Sequence, residues 1–188
     1  KNDSEQQSHT FASKAIQRFD RMFSPLDVSA NNTLGLVGVR CNDARFPLVE
    51  KLATLQTVRS LLLVENDTIY CSSIFGDRTL SFSKIYPELA VNNQRMLLTT
   101  DNYLLKGSPV LLLWTPRSLD NQSGIVQVIN IEMMSNYLLE PVLPWVERAI
   151  FNVGGKSLEY GTPLIQHAIP SEDEVSYKES SMRYPLSI

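Results

Sequence analysis

The sequence predicts an α+β fold in which N-terminal helices pack on a mainly antiparallel sheet. Three observations predict it. Early in the chain, apolar residues recur at three- and four-residue steps, at Phe11, Ala12, Ala15, Ile16, Phe19, Met22 and Phe23. From Val58 the pattern changes to short runs such as "VRSLLLV" and "GIVQVINI", which are strand-like in length and composition. Turn-forming Asn, Asp and Gly residues separate these runs, and only one helical stretch interrupts them.

The first helix is expected over residues 4–23, with Lys14, Gln17, Arg18 and Arg21 on its polar side. Ser24-Pro25 should close it, because a residue before proline avoids helical angles. Residues 27–40 read as a connector with a short helical turn. A second helix follows Cys41. Asn42 or Asp43 suits its cap, yet Pro47 is tolerated only in a first turn, which moves the expected start toward Phe46.

Two strands around Glu65-Asn66-Asp67 form a hairpin, and Gly76-Asp77 marks the next turn. After an irregular stretch, strands are expected at Arg95–Thr100, Ser108–Pro116 and Gly124–Ile131. A short helix begins at Glu132 and stops near Pro141 or Pro144. Gly154-Gly155 joins a second hairpin. Glu172, Asp173 and Glu174 read as a solvated loop, and the chain closes on a strand-like "YKESSMRYPLSI".

The chain has 188 residues, 43% of them hydrophobic, which suits a single domain over residues 1–188. Charged residues make up 20% and the net charge is −3, with no basic block, so a nucleic-acid footprint is not expected. The apolar runs fall far short of the ~20 residues of a membrane helix. No phosphate loop, nucleophile elbow or zinc-protease motif is present. His9 and His167 have no ligand-like neighbours, so neither a metal site nor a catalytic site is expected in this chain. Asn31-Asn32-Thr33 and Asn66-Asp67-Thr68 match the glycosylation pattern, which matters only in a eukaryotic secreted protein. The chain starts at Lys1 without a signal peptide and stops within apolar-alternating sequence, so it reads as an excised piece of a longer protein.

Cys41 and Cys71 are the two cysteines. Their spacing leaves two readings open, a pair of buried free thiols or one bridge. A bridge would close a loop of roughly 31 residues, and the chain-entropy account gives it about 3–4 kcal/mol. A cysteine near a helix start also favours the thiolate that exchanges with oxidants and reductants.

The stretch "VRSLLLVENDTIYCSSIFG", with an upstream cysteine before a helix and the closing "SSMRYPLSI", resembles the CSS-motif domain. The likeness is sharpest from Cys41 to Gly76 and over the last ten residues. It implies a periplasmic sensor held between two inner-membrane helices and followed by a cytoplasmic EAL domain that hydrolyses cyclic di-GMP. It implies that Cys41 and Cys71 form a redox-active disulfide made by the periplasmic oxidation machinery, with Ser72 and Ser73 completing the motif. The oxidised form would restrain the phosphodiesterase; reduction would release it, coupled to homodimerisation or to periplasmic proteases. This domain would hold no cofactor, and the EAL domain would need Mg or Mn. Two other readings remain. One is a small-molecule sensor: the helix-then-sheet order resembles PAS-like extracytoplasmic receptors in outline, which implies a pocket over the sheet near Trp114, Tyr103 or Tyr137. The other is a self-association module with a purely structural disulfide.

Overall fold

The structure, a computed structural model, describes residues 2–101, 106–139, 148–161, 178, 180–181 and 186–188. The chain divides into two compact units, Ser24–Ile131 and Lys1–Phe23 with Glu132–Ile188.

Six antiparallel strands build the sheet of the unit Ser24–Ile131: β1 (Val58–Glu65), β2 (Thr68–Ser72), β3 (Gly76–Ser81), β4 (Met96–Asp101), β5 (Ser108–Pro116) and β6 (Gly124–Asn130). Their order is β3-β2-β1-β6-β5-β4, so β1 and β6 meet at the centre. The β1–β2 hairpin turns on Asn66 and Asp67, both at positive φ (47° and 64°), as the two-residue turn of a twisted hairpin requires. Asp67 then accepts from Ser83 N (2.9 Å) and Ser83 Oγ (2.6 Å). Those bonds hold the first of two short helices, α3 (Phe82–Ile85) and α4 (Pro87–Ala90).

Five expectations are corrected here. Helix α1 (Asn2–Thr33) does not stop at Ser24 but continues through Pro25. An interior proline costs about 3 kcal/mol. Beyond it, Leu26, Ala30 and Thr33 keep the buried helical spacing, and the exposed Pro25 lies off that stripe. Helix α2 (Cys41–Ala53) begins at Cys41 rather than near Phe46 and contains Pro47. Its buried stripe is Cys41, Ala44 and Leu48, which only a helix starting at Cys41 can align. Neither Asn42 nor Asp43 is the cap; that position belongs to Arg40, which makes no side-chain cap bond. Gly76 opens β3 instead of serving only as a turn, and α3 and α4 occupy the stretch read as irregular. β3 is a polar edge strand, so it carries little hydrophobic period to read.

Under α3 and α4, Phe82 and Leu89 pack with Trp114, Leu112, Val126 and Val64 in one apolar cluster. Phe82 and Trp114 have ring centroids 4.5 Å apart. Asn121 anchors this region. Its Oδ1 accepts from Trp114 Nε1 (2.8 Å) and Arg95 Nη1 (2.9 Å), and its Nδ2 donates to Leu89 O (2.7 Å) and Ala90 O (3.0 Å). Gly124 passes so close to the Thr115 carbonyl and Pro116 Cα that no Cβ fits there.

In the other unit, α1 contributes buried Ala15, Phe19 and Phe23, with the two rings stacked at 4.1 Å. Helix α5 (Ile131–Leu139) buries Met134, Ser135, Leu138 and Leu139 on one face. Arg18 lies 4.4 Å over the Tyr137 ring and donates to Tyr137 O (2.9 Å). The hairpin expected around Gly154-Gly155 is β7 (Arg148–Val153) and β8 (Lys156–Gly161). Strand β9 (Leu186–Ser187) pairs with β7. The prolines expected to stop α5, the acidic loop at Glu172–Glu174 and His167 lie outside the described residues. Among the described residues, no helix is long and apolar enough to cross a membrane, and no group of three or more His, Cys, Asp and Glu gathers as a metal site.

Candidate functional site

The site is assembled on β2 and the first turn of α2. α2 packs against β1, β2 and β3. Cys41, its first residue, is bonded to Cys71 of β2, with Cα atoms 5.2 Å apart. The two sulfurs are buried, Cys41 at 4% exposure and Cys71 at 0%. The bridge therefore fastens a helix start to an inner strand, and a reductant reaches it only if that packing opens.

What aims Cys71 at α2 is a β-bulge. β1 pairs Leu63 with Cys71 and Val64 with Ile69, so Tyr70 is an extra residue on β2. Strict alternation would put Ile69 and Cys71 on one face of the sheet. The bulge leaves Ile69 in the cluster under α3 and α4 while Cys71 turns to α2.

The bulged residue is itself put to use. The Tyr70 hydroxyl accepts from Gly38 N (2.9 Å) and lies within donating distance of Leu36 O (3.1 Å) and Val39 O (2.9 Å). Arg117 Nη1 donates to Val37 O (3.1 Å). The segment that leads into Cys41, including a 3-10 turn at Leu34–Leu36, is thus held from two sides. Burial of the Tyr70 ring pushes its phenol above the usual tyrosine value. The Gly38 N–H and Arg117 oppose that shift, and Glu65 adds to it.

Ser72 and Ser73 spend their hydroxyls on backbone. Ser73 N donates to Leu61 O (2.9 Å), and Ser73 Oγ accepts from Leu61 N (2.9 Å). The hydroxyl replaces the carbonyl that β2 would have offered had it run on. Ser72 Oγ accepts from Ile74 N and Phe75 N, both at 3.2 Å, and closes the turn into β3. From α2, Arg45 Nη2 donates to Ile74 O (2.9 Å). Cys41, Cys71, Ser72 and Ser73 thus form one joint among α2, β1, β2 and β3. Chemically it offers one S–S bond, between Cys41 and Cys71.

Sequence reasoning missed Tyr70, Arg45 and Arg117 as supports of this joint, and nothing in residue spacing could have found contacts made across the fold. Of the pocket residues expected, Trp114 is buried and bonded to Asn121, and Tyr137 is stacked under Arg18. Tyr103 lies outside the described residues.

Comparison with known proteins gives the chain a family. Residues 4–188 match the family described as "CSS motif domain associated with EAL". The chain is 39% identical over its full 188 residues to the probable cyclic di-GMP phosphodiesterase PdeD of Escherichia coli K12, of which it spans 35%. It is 23% identical over 120 residues to the probable cyclic di-GMP phosphodiesterase PdeN of the same organism, matching 63% of this chain and 23% of PdeN. It thus spans about a third or less of each relative. The solved ligand-binding domain of the Campylobacter jejuni chemoreceptor Tlp3, crystallised with 4-methylisoleucine, shares the fold at a TM-score of 0.50 and 9% identity, over 90% of this chain and 95% of that one. That likeness speaks to architecture alone and agrees with an α+β, PAS-like fold. With the matched family covering nearly every residue, this chain belongs to the CSS motif domains associated with EAL.

Proposed function

We propose that this chain is the periplasmic redox-sensing domain of a membrane-anchored cyclic di-GMP phosphodiesterase, in which the Cys41–Cys71 disulfide restrains a cytoplasmic EAL domain. The observation that carries this reading is the place of the bridge. It does not staple two loops; it joins the first residue of α2 to an inner strand, inside packed structure. Opening it frees α2 to shift on β1–β3, a discrete change that a signalling domain can use. Family membership and the 39% identity to PdeD support the parent activity, hydrolysis of cyclic di-GMP to pGpG. The catalysis and its divalent metal, Mg or Mn, belong to the EAL domain. The partners in this reading are the periplasmic disulfide oxidation and reduction machinery, the flanking membrane helices, periplasmic proteases and a second copy of the chain.

The experiment is thiol trapping of the full-length protein in membranes, with and without the periplasmic oxidant, alongside cyclic di-GMP turnover. Turnover is expected to rise when Cys41 and Cys71 are trapped as thiols, and to rise likewise in Cys41→Ala and Cys71→Ala. Unchanged turnover in both variants would make the bridge purely structural and sink the reading.

A further inference from the structure

The face of the sheet turned away from Cys71 holds a pocket that the redox reading does not use. It has a volume of about 40 Å³, and its floor is apolar, formed by Leu62, Ile69, Leu112 and Val128. The exposed Phe75 and the half-exposed Arg78 stand at its rim. Two polar groups in it have bonding capacity left, Ser60 and Arg78. Ser60 is 3% exposed and lines the pocket, yet its hydroxyl has no hydrogen-bond partner among the described residues. Arg78 donates to the carbonyl of its neighbour Asp77 (3.0 Å) and lies 4.8 Å over the Phe75 ring. No carboxylate among the described residues pairs with it. Arg78 is the charged residue of the lining, and no acid accompanies it.

We propose that this pocket binds a short aliphatic monocarboxylate, its tail on the Leu62–Leu112–Val128 floor and its carboxylate on Arg78, with Ser60 donating a hydrogen bond. A cation without an acid selects an anion and leaves an ammonium group unmatched, so an amino acid fits less well than the corresponding simple acid. A fully apolar guest would leave the Ser60 hydroxyl unpaired. Size limits the tail. A cavity of about 150 Å³ takes the six carbons of benzene, so this one encloses only about one or two carbons of the tail, with the rest of the acid at the open rim. The proposal does not rest on the redox reading, because the pocket exists with the disulfide closed.

The test is titration of butyrate into the oxidised chain, followed by amide chemical shifts, with n-butanol and 2-aminobutyrate as comparators. Saturable shifts are expected around Ser60, Leu62 and Arg78 at millimolar butyrate. Butanol and 2-aminobutyrate should each bind about tenfold more weakly. Arg78→Met, a rim change that spares the core, should weaken butyrate about tenfold while leaving butanol unchanged. Ser60→Ala should weaken butyrate about threefold. Absence of saturation at about 10 mM butyrate overturns the proposal, as do shifts clustered elsewhere, equal binding of butanol, or full affinity in Arg78→Met.

Discussion

Ile69 and Cys71 are two residues apart on β2 and face opposite sides of its sheet. The extra residue between them, Tyr70, is what separates them. Cys71 reaches α2, while Ile69 and Ser72 line the pocket on the far face. A regular strand would have sent Ile69 and Cys71 to the same side, and the bridge could not have formed while Ile69 kept its place. The bulge is therefore a precondition of the Cys41–Cys71 bridge. The same strand that carries the bridged sulfur also walls the pocket one residue later.

Reducing the bridge should lower the unfolding free energy by about 3–4 kcal/mol, the chain-entropy value for a separation of 30 residues. Urea unfolding with and without a strong reductant measures it. The double variant Cys41→Ala/Cys71→Ala should match the reduced protein. A loss below about 1 kcal/mol would show that the reduced chain keeps its tie by other means.

The two serines should differ. Ser73→Ala strips the acceptor from a buried backbone N–H, that of Leu61, and should cost about 1–3 kcal/mol. Ser72→Ala loosens only the turn at Ile74 and Phe75, at about 0.5–1 kcal/mol. In Ser73→Ala the bridge should also reduce faster under a fixed dithiol concentration, read by timed alkylation. Equal rates in the two variants would deny Ser73 its part in holding Cys71.

Alkali should loosen the segment before Cys41. Burial raises the Tyr70 phenol above its unfolded value near pH 10, so the folded state holds that proton more tightly. Its contribution to stability is fully present below about pH 10 and is lost as pH rises through the higher folded value. Ionised Tyr70 still accepts from Gly38 N but donates to neither Leu36 O nor Val39 O. Tyr70→Phe should show a flatter alkaline limb in thermal melts than the unaltered chain; parallel limbs would remove Tyr70 from the account.

Asn121 should be the most sensitive polar residue of the sheet unit. Asn121→Ala strands the Trp114 indole N–H, and a loss of about 2–4 kcal/mol is expected in chemical unfolding. Asn121→Asp should also destabilise, because it faces a carboxylate toward the Leu89 and Ala90 carbonyls. A neutral Asn121→Asp would mean that the Nδ2 bonds carry little.

Gly124→Ala should be worse than its one carbon suggests. The added Cβ meets Thr115 O and Pro116 Cα, both backbone, which cannot swing aside. An overpacking loss of about 2 kcal/mol or more is expected, with poor expression as the first sign and a lowered melting temperature as the measure. An unchanged melting temperature would show that β5 and β6 part freely at this end.

Much of the architecture was legible in residue order. The hairpin at Asn66-Asp67, the β5 and β6 runs and the Gly154-Gly155 hairpin are all local matters of turn chemistry and strand composition. Misreadings came where a distant partner outweighed a local rule. Pro25 and Pro47 argued for helix ends, and buried stripes on α1 and α2 carried both helices through them. β3 went unread because a polar edge strand has little pattern of its own. Of the aromatic residues suggested as pocket walls, Trp114 was drawn instead into the core and Tyr137 against Arg18.

The sequence by itself determined the class of fold, the two cysteines and the Cys-Ser-Ser stretch that marks the family. These depend on neighbours within a few residues, or on chemistry that a residue carries wherever it stands. Only the tertiary structure decided that the cysteines meet, that a bulge at Tyr70 makes them meet, and that the serines serve Leu61 and the turn. It alone set Ser60 and Arg78 around one apolar floor. Each of these is a coincidence in space of residues far apart in the chain, and side-chain direction on a strand reverses with a single inserted residue.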